Sequence, residues 1–124
     1  MTITEDFCKQ FANEWIAAWN SHDLDRIMSH YANELEFYSP LIIKLNINPD
    51  GRITHKTDLR DYFKIGLEKF PDLHFSLNNV LVGLNSVVLY YGSVNNTLSA
   101  EFMLFNEDGK ISQVRAHYAQ KTDQ

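Results

Sequence analysis

The sequence predicts an α+β domain in which three helices of the N-terminal half pack into a strongly curved, mostly antiparallel sheet. Apolar residues recur at helical spacing over residues 3–31 and 57–70, whereas from residue 73 onward they recur at every second position. The middle strands are apolar at both parities, which indicates that both faces of the sheet are covered. The length of 124 residues fits one domain, spanning residues 1–124.

The chain opens with a predicted helix. Thr2 and Glu5 have the spacing of a capping box, and an apolar stripe follows. Asn20 suits the left-handed position that closes this helix, and Asp23 suits the N-cap of a short second helix. The segment "LEFYSP" is then predicted as a strand that Pro40 ends, because proline has no N–H to donate to a sheet ladder.

The middle of the chain is predicted as two short strands around the turn "NPDG", in which Gly51 takes the positive φ angle. Thr57 is the expected N-cap of a third helix, which Pro71 ends. Four strands follow: "DLHFSLNNVLVG", "SVVLYYGSV", "TLSAEFMLF" and "KISQVRAHYA". The first of them changes parity after Leu77, as a β-bulge at Asn78 or Asn79 would produce.

Composition excludes several classes of function. The formal charge is −5 with no basic run, so nucleic acid is not an expected partner. Cys8 is the only cysteine, which rules out an intrachain disulfide. The N-terminal residues lack the basic region of a signal peptide, and no apolar run has membrane-spanning length. We therefore expect no membrane partner and a cytoplasmic location.

Three segments carry a resemblance to a known family: "WIAAWNSHDLDRIMSHYANELEFYSP", "DLRDYFKIGLEKFPDLHFSL" and "FNEDGKISQVRAHY". They resemble the nuclear transport factor 2-like superfamily, which includes SnoaL-like polyketide cyclases and ketosteroid isomerases. The resemblance implies a cone-shaped α+β barrel, in which the curved sheet wraps three helices around an apolar cavity that is open at one end. It also implies a homodimer formed through the convex face of the sheet.

The resemblance to the ketosteroid isomerase branch implies positions for three catalytic groups. It places Trp15 at the tyrosine position, Ser39 at the general-base position and Glu101 at the acid position. A serine hydroxyl cannot take a proton from carbon without a base of its own. Glu101 is therefore the predicted catalytic residue, while Ser39 either caps the turn at Pro40 or hydrogen-bonds a ligand.

Glu101 has two possible surroundings. It shares a strand face with Ser99 and Met103, so it can line the cavity, where burial would raise its pKa. Alternatively, it lies at the cavity mouth, in water or paired with Arg115 or Lys44. The predicted cavity lining comprises Trp15, Trp19, Tyr31, Phe37, Ser39, Phe63, Met103, Val114 and Tyr118, although the aromatic residues among them also suit a plain core.

A metal site is not predicted. The histidines lack the spacing of metal ligands, and Asp23 with Asp25 is explained by the start of a helix. His117 has the chemistry a dehydratase needs, but strand parity points it away from the cavity together with Gln113 and Arg115. No cofactor is expected.

Two functions follow from these observations. The first is a cofactor-independent enzyme that isomerises, dehydrates or cyclises a small apolar carbonyl compound with Glu101 as its proton-handling group. The second is a non-catalytic module of the same fold that binds a small apolar molecule or dimerises.

Overall fold

The computed structural model describes residues 3–120, which form four helices and six strands. The helices are α1 (Glu5–Ser21), α2 (Leu24–Met28), α3 (Pro40–Lys44) and α4 (Lys56–Lys69). The strands are β1 (Tyr31–Tyr38), β2 (Arg52–His55), β3 (Ser76–Gly83), β4 (Ser86–Gly92), β5 (Thr97–Phe105) and β6 (Ile111–Gln120). A single 3-10 turn, Val94–Asn96, connects β4 to β5.

The six strands form one curved, unclosed sheet in the order β2-β1-β6-β5-β4-β3. All neighbouring strands are antiparallel except β1 and β6, which are parallel. The predicted bulge is confirmed, because the register of β3 against β4 shifts between Leu77 and Asn79. The α+β class and the mostly antiparallel sheet are therefore as predicted, and the helices pack against the buried face of the sheet.

The ends of α1 differ from the prediction. Thr4 caps the helix by accepting a hydrogen bond from Phe7 N at 3.0 Å, whereas Thr2 lies outside the described residues. His22, at φ 61°, takes the left-handed position that was predicted for Asn20. Asn20 stays helical because its side chain bonds both backbone groups of Phe75, at 2.7 Å to N and 3.0 Å to O. Asp23 caps α2 as predicted.

The segment after Pro40 is a helix and not the predicted strand. Ser39 caps α3 by accepting a hydrogen bond from Leu41 N at 3.2 Å, and Pro40 occupies the first helical position, where its missing N–H costs nothing. Gly51 adopts the expected positive φ, at 68°. The last helix starts at Lys56 with His55 at its cap position, so Thr57 is not the N-cap.

The interior of the cone has two parts that share α1. The first part, which we call the closed end, comprises Phe7, Phe11, Met103, Phe105, Ile111 and Val114, with the His30 ring packed edge-on against Phe11. The Phe105 ring packs edge-on against the rings of Phe7 and Phe11, with centroids 5.2 and 4.8 Å apart. Further along α1, Trp15 and Trp19 reach the second part, the open end, which contains a cavity. Within residues 3–120, no helix has the length and apolar character needed to cross a bilayer.

Candidate functional site

A cavity of about 80 Å³, which we call the chamber, lies at the open end of the cone. Its lining comes from α1, α3, α4 and the inner faces of the strands, and most of it is aromatic. The aromatic lining residues are Trp15, Trp19, Tyr31, Phe37, Tyr62, Phe63, Phe70, Phe75, Tyr91 and Tyr118. Glu101 is the charged residue in this lining, so the chamber presents one carboxyl group within an otherwise apolar and phenolic wall.

The predicted cavity residues divide into two groups. The six that line the chamber are Trp15, Trp19, Tyr31, Phe37, Phe63 and Tyr118. Ser39, Met103 and Val114 are buried but do not line it. Met103 and Val114 are paired across β5 and β6 and are almost fully buried, and Ser39 caps the start of α3.

Glu101 lies on the inner face of β5 and is only 4% exposed. Its carboxylate accepts a short hydrogen bond from the Tyr91 hydroxyl on the neighbouring strand. The alternative surroundings do not occur: Arg115 points outward, with its guanidinium 4.1 Å from the centre of the Tyr38 ring, and Lys44 is exposed on α3. The acidic group is therefore inside the cone and away from bulk water.

Burial raises the pKa of Glu101 to about 7, against the opposing effect of the Tyr91 hydrogen bond. Burial also raises the pKa of Tyr91 and Tyr118, and the nearby charge of Glu101 adds to both increases. Near neutral pH the two tyrosines are therefore protonated donors. The Glu101 carboxyl, by contrast, is divided between its charged and neutral forms and can exchange a proton.

Further polar groups surround this acid. The Tyr31 hydroxyl accepts a hydrogen bond from Trp15 Nε1 at 3.2 Å, so the indole at the family's tyrosine position orients a tyrosine from another element. Ser99 Oγ and Trp19 Nε1 are buried; Ser99 Oγ lies near the hydroxyls of Tyr91 and Tyr118, and Trp19 Nε1 lies near the Tyr31 hydroxyl. Ser99 is paired with Tyr118 across β5 and β6, one step closer to the chamber mouth than Glu101.

Sequence reasoning missed Tyr91, the direct partner of Glu101. In "SVVLYYGSV" both parities are apolar, so the pattern does not reveal which of the adjacent Tyr90 and Tyr91 faces inward. The structure buries Val87, Leu89 and Tyr91 on one face, and pairs Leu89 with Glu101 and Tyr91 with Ser99. The register between β4 and β5 was the signal needed, because it places Tyr91 diagonally beside Glu101.

The histidines and remaining acids do not add to the site. His117 is exposed, and its Nδ1 lies 3.1 Å from the carbonyl oxygen of Arg115. Among the residues that the structure describes, no group of three His, Cys, Asp or Glu side chains is arranged to hold a metal ion. The chemistry available at the chamber is therefore that of one carboxyl group and several hydroxyl donors.

The curved, mostly antiparallel sheet packed with helices has the fold of nuclear transport factor 2-like proteins. Within that class, residues 12–117 match the model of the SnoaL-like domain. The chain belongs to the SnoaL-like family.

Solved structures agree with this assignment. A SnoaL-like protein of unknown function from Burkholderia thailandensis is 40% identical, with a TM-score of 0.91, and the match covers 96% of this chain and 99% of that one. A candidate ketosteroid isomerase from Kribbella flavida is 16% identical, with a TM-score of 0.72, over 100% and 85% of the two chains. The second likeness shows the fold alone. No functionally curated protein matches the sequence.

Proposed function

We propose that the chamber binds a small apolar carbonyl compound and that Glu101 moves a proton between two of its carbon atoms. The observation that carries this proposal is a carboxyl group that is 4% exposed, has a pKa of about 7 and lies in an aromatic chamber. A carboxyl group in this state is ionised often enough near neutral pH to act as a base, and afterwards returns the proton as an acid.

The proposed reaction is an isomerisation that needs no cofactor. The Glu101 carboxylate takes a proton from the carbon between a carbonyl and a double bond, and the electron pair of the broken C–H bond forms a dienolate. The proton then returns to the far carbon of the dienolate, so the double bond moves and Glu101 regains its charge. Protonated tyrosine hydroxyls in the lining, such as Tyr118, supply hydrogen-bond donors for the enolate oxygen.

This assignment differs from the roles that the ketosteroid isomerase resemblance implies. Ser39 is committed to the N-cap of α3, and no carboxylate stands at its position. The base role therefore passes to Glu101, which the resemblance places at the position of a hydrogen-bond donor. Dehydration and cyclisation of a carbonyl compound use the same abstraction of a proton next to the carbonyl, and they remain within the proposed reaction class.

The test is the conversion of cyclohex-3-enone to cyclohex-2-enone, followed by ultraviolet absorbance. We expect Glu101→Gln to lose at least about 100-fold in rate, because glutamine cannot accept the proton. The wild-type rate should rise as the pH increases through about 7, where Glu101 ionises. Glu68→Gln, an exposed change on α4, is the matched control and should retain the wild-type rate. Equal rates for wild type and Glu101→Gln would refute the proposed role.

Dimerisation, which is compatible with either function, has one specific observation in its favour, the apolar outer face of the sheet. Val88, Tyr90, Phe102 and Leu104 point away from the helices and are only half-buried in the single chain. We propose that this convex face forms a homodimer. Phe102→Glu should then halve the mass measured by light scattering, whereas Glu68→Gln should leave it unchanged. A wild-type protein that is monomeric at tens of micromolar would contradict this proposal.

A further inference from the structure

We infer that the chamber selects its ligand by width: it takes a neutral molecule no wider than one six-membered ring, whose oxygen-bearing end lies in the chamber among the tyrosine hydroxyls and whose substituents extend out through the mouth. This inference rests on the binding step of the proposed function but not on its chemistry. It excludes fused polycyclic compounds and instead favours single-ring or open-chain carbonyl compounds and enols.

The size of the chamber carries the first step of the argument. An apolar protein cavity of about 150 Å³ accommodates benzene, and pockets for drug-sized ligands are roughly 300–1,000 Å³. The chamber measures about 80 Å³, so a single ring fills it and extends into the mouth. A second fused ring adds to a volume that one ring already exceeds.

The chamber walls resist widening because their rings pack against one another. The Trp19 and Phe63 rings meet edge-on with centroids 4.7 Å apart, and Phe75 lies 4.7 Å from Tyr91. Moving one of these rings disturbs the next, and protein interiors tolerate such overpacking poorly, at a cost of about 1–3 kcal/mol. The ligand therefore has to match the existing width.

The chamber limits the length of the ligand much less than its width. A groove of about 400 Å³ lies outside the chamber and shares four residues with it: Phe70, Leu73, Ser93 and Val94. Phe70, Ser93 and Val94 are half-buried, and they form the rim near the start of β5. Glu101 is deeper along the same strand. A narrow molecule with its oxygen-bearing end in the chamber can thus continue past the rim into the groove.

The charge of the chamber selects a neutral head group. None of the described lining residues is Lys, Arg or His, and Glu101 is acidic. A carboxylate in the chamber would lose its hydration without gaining a cationic partner, and it would repel ionised Glu101. Lys69, Asp72 and His74 line the outer groove instead, so a charged group is tolerated only on the part of the ligand that extends outside.

Calorimetric titration with four probes tests the inference: 4-ethylphenol, 4-pentylphenol, 2-naphthol and 4-ethylbenzoate. Phenols are stable analogues of enols. We expect 4-pentylphenol to bind at least as tightly as 4-ethylphenol, and 2-naphthol and 4-ethylbenzoate to bind at least tenfold more weakly. Simple hydrophobicity predicts the opposite order for 2-naphthol, because its apolar surface is larger than that of 4-ethylphenol.

A pair of variants on α3 distinguishes an effect of chamber width from an effect of any side-chain truncation on that helix. Leu41 lines the chamber, and Leu41→Ala should raise the affinity for 2-naphthol relative to 4-ethylphenol at least tenfold. Ile43 is 48% exposed on the same helix and lies outside the chamber lining, so Ile43→Ala should leave that ratio unchanged.

The outcomes distinguish this inference from the proposed function. Wild-type protein that binds 2-naphthol as tightly as 4-ethylphenol would overturn selection by width and leave ligand binding intact. Absence of binding by all four probes would overturn the binding step, and the inference with it. If the phenols bind as expected while Glu101→Gln still isomerises cyclohex-3-enone, the proposed chemistry is refuted and the selection by width stands.

Discussion

The closed and open ends of the cone are built by the same helix and differ in what faces it. Phe7 and Phe11 of α1 meet Phe105 at the closed end, and the rings fill the space between them. Two turns later Trp15 and Trp19 meet rings as well, yet a chamber of about 80 Å³ remains. The change occurs along β5, whose inner face runs from Phe105 to Glu101. The apolar stripe of a helix therefore does not by itself indicate a binding site. The residues of the facing strand decide whether a packed core or a cavity lies against the stripe.

The largest expected effect is on stability at the closed end. Phe105→Ala removes a ring that two other rings contact, and it should lower the free energy of unfolding by about 3–5 kcal/mol. Phe70→Ala, at the half-buried rim of the chamber, should cost less than half as much. Urea unfolding of both variants measures the difference. Equal losses would mean that the rim is packed as firmly as the closed end.

The next effect concerns the acid at the open end. The folded protein keeps the Glu101 proton up to about pH 7, whereas the unfolded chain loses it near the ordinary pKa of 4.5. The stabilisation that comes from the raised pKa of Glu101 is complete below pH 4.5 and is lost as the pH rises through 7. By pH 8 this loss lowers the free energy of unfolding by on the order of 3 kcal/mol.

Glu101→Gln removes this titration. The variant should therefore gain stability relative to wild type by about that amount between pH 4.5 and pH 8, as measured by urea unfolding at each pH. Glu68→Gln serves as the exposed control. If the difference in stability between Glu101→Gln and wild type does not vary with pH, Glu101 is solvated. The open end would then hold no buried acid.

A smaller effect is expected where α1 is tied to the chamber wall. Asn20 bonds both backbone groups of Phe75, and Phe75 lines the chamber. Asn20→Ala leaves these two part-buried groups unpaired and should destabilise the fold by about 2 kcal/mol. Asn13→Ala, an exposed change on the same helix, should alter stability by less than about 0.5 kcal/mol. Thermal unfolding of Asn20→Ala and Asn13→Ala measures the effect. Equal melting temperatures would contradict a stabilising role for the hydrogen bonds between Asn20 and Phe75.

The smallest effect is predicted for Ser39, the residue at the family's base position. Ser39→Ala removes the N-cap of α3 and should cost about 1 kcal/mol. It should change the isomerisation of cyclohex-3-enone by only a few-fold, since its hydroxyl does not transfer the proton. A loss as large as that of Glu101→Gln would return the catalytic role to Ser39.

The strands and the long helices could be predicted from the sequence because the apolar period changes from 3.6 to 2. The bulge near Asn79 was predictable for the same reason, since a change of parity inside one strand has few other causes. Helix α3 was not predictable from period, because a run of five residues such as "PLIIK" fits a strand or a helix. The local cap made by Ser39 and Pro40 decides the structure there.

Alternation predicted only that Glu101 shares a strand face with Ser99 and Met103; it decided neither its burial nor the extent of the chamber. Met103 and Val114 share the inner face with chamber residues, and parity cannot show how far along the cone each lies. Tyr91 was missed because both parities of its strand are apolar. Depth in the cone and register between strands are tertiary properties, and both are needed to identify the groups around an acid.

The parallel pairing of β1 with β6 has a consequence for folding. It brings residues 31–38 into contact with residues 111–115, so the cone cannot be completed until distant parts of the chain have met. Contacts of such long sequence separation slow folding, and we expect refolding in milliseconds to seconds. Tyr31 and Phe37 of β1 line the chamber, so its lining is incomplete until that late step. The binding site and the native topology should therefore appear together in refolding kinetics.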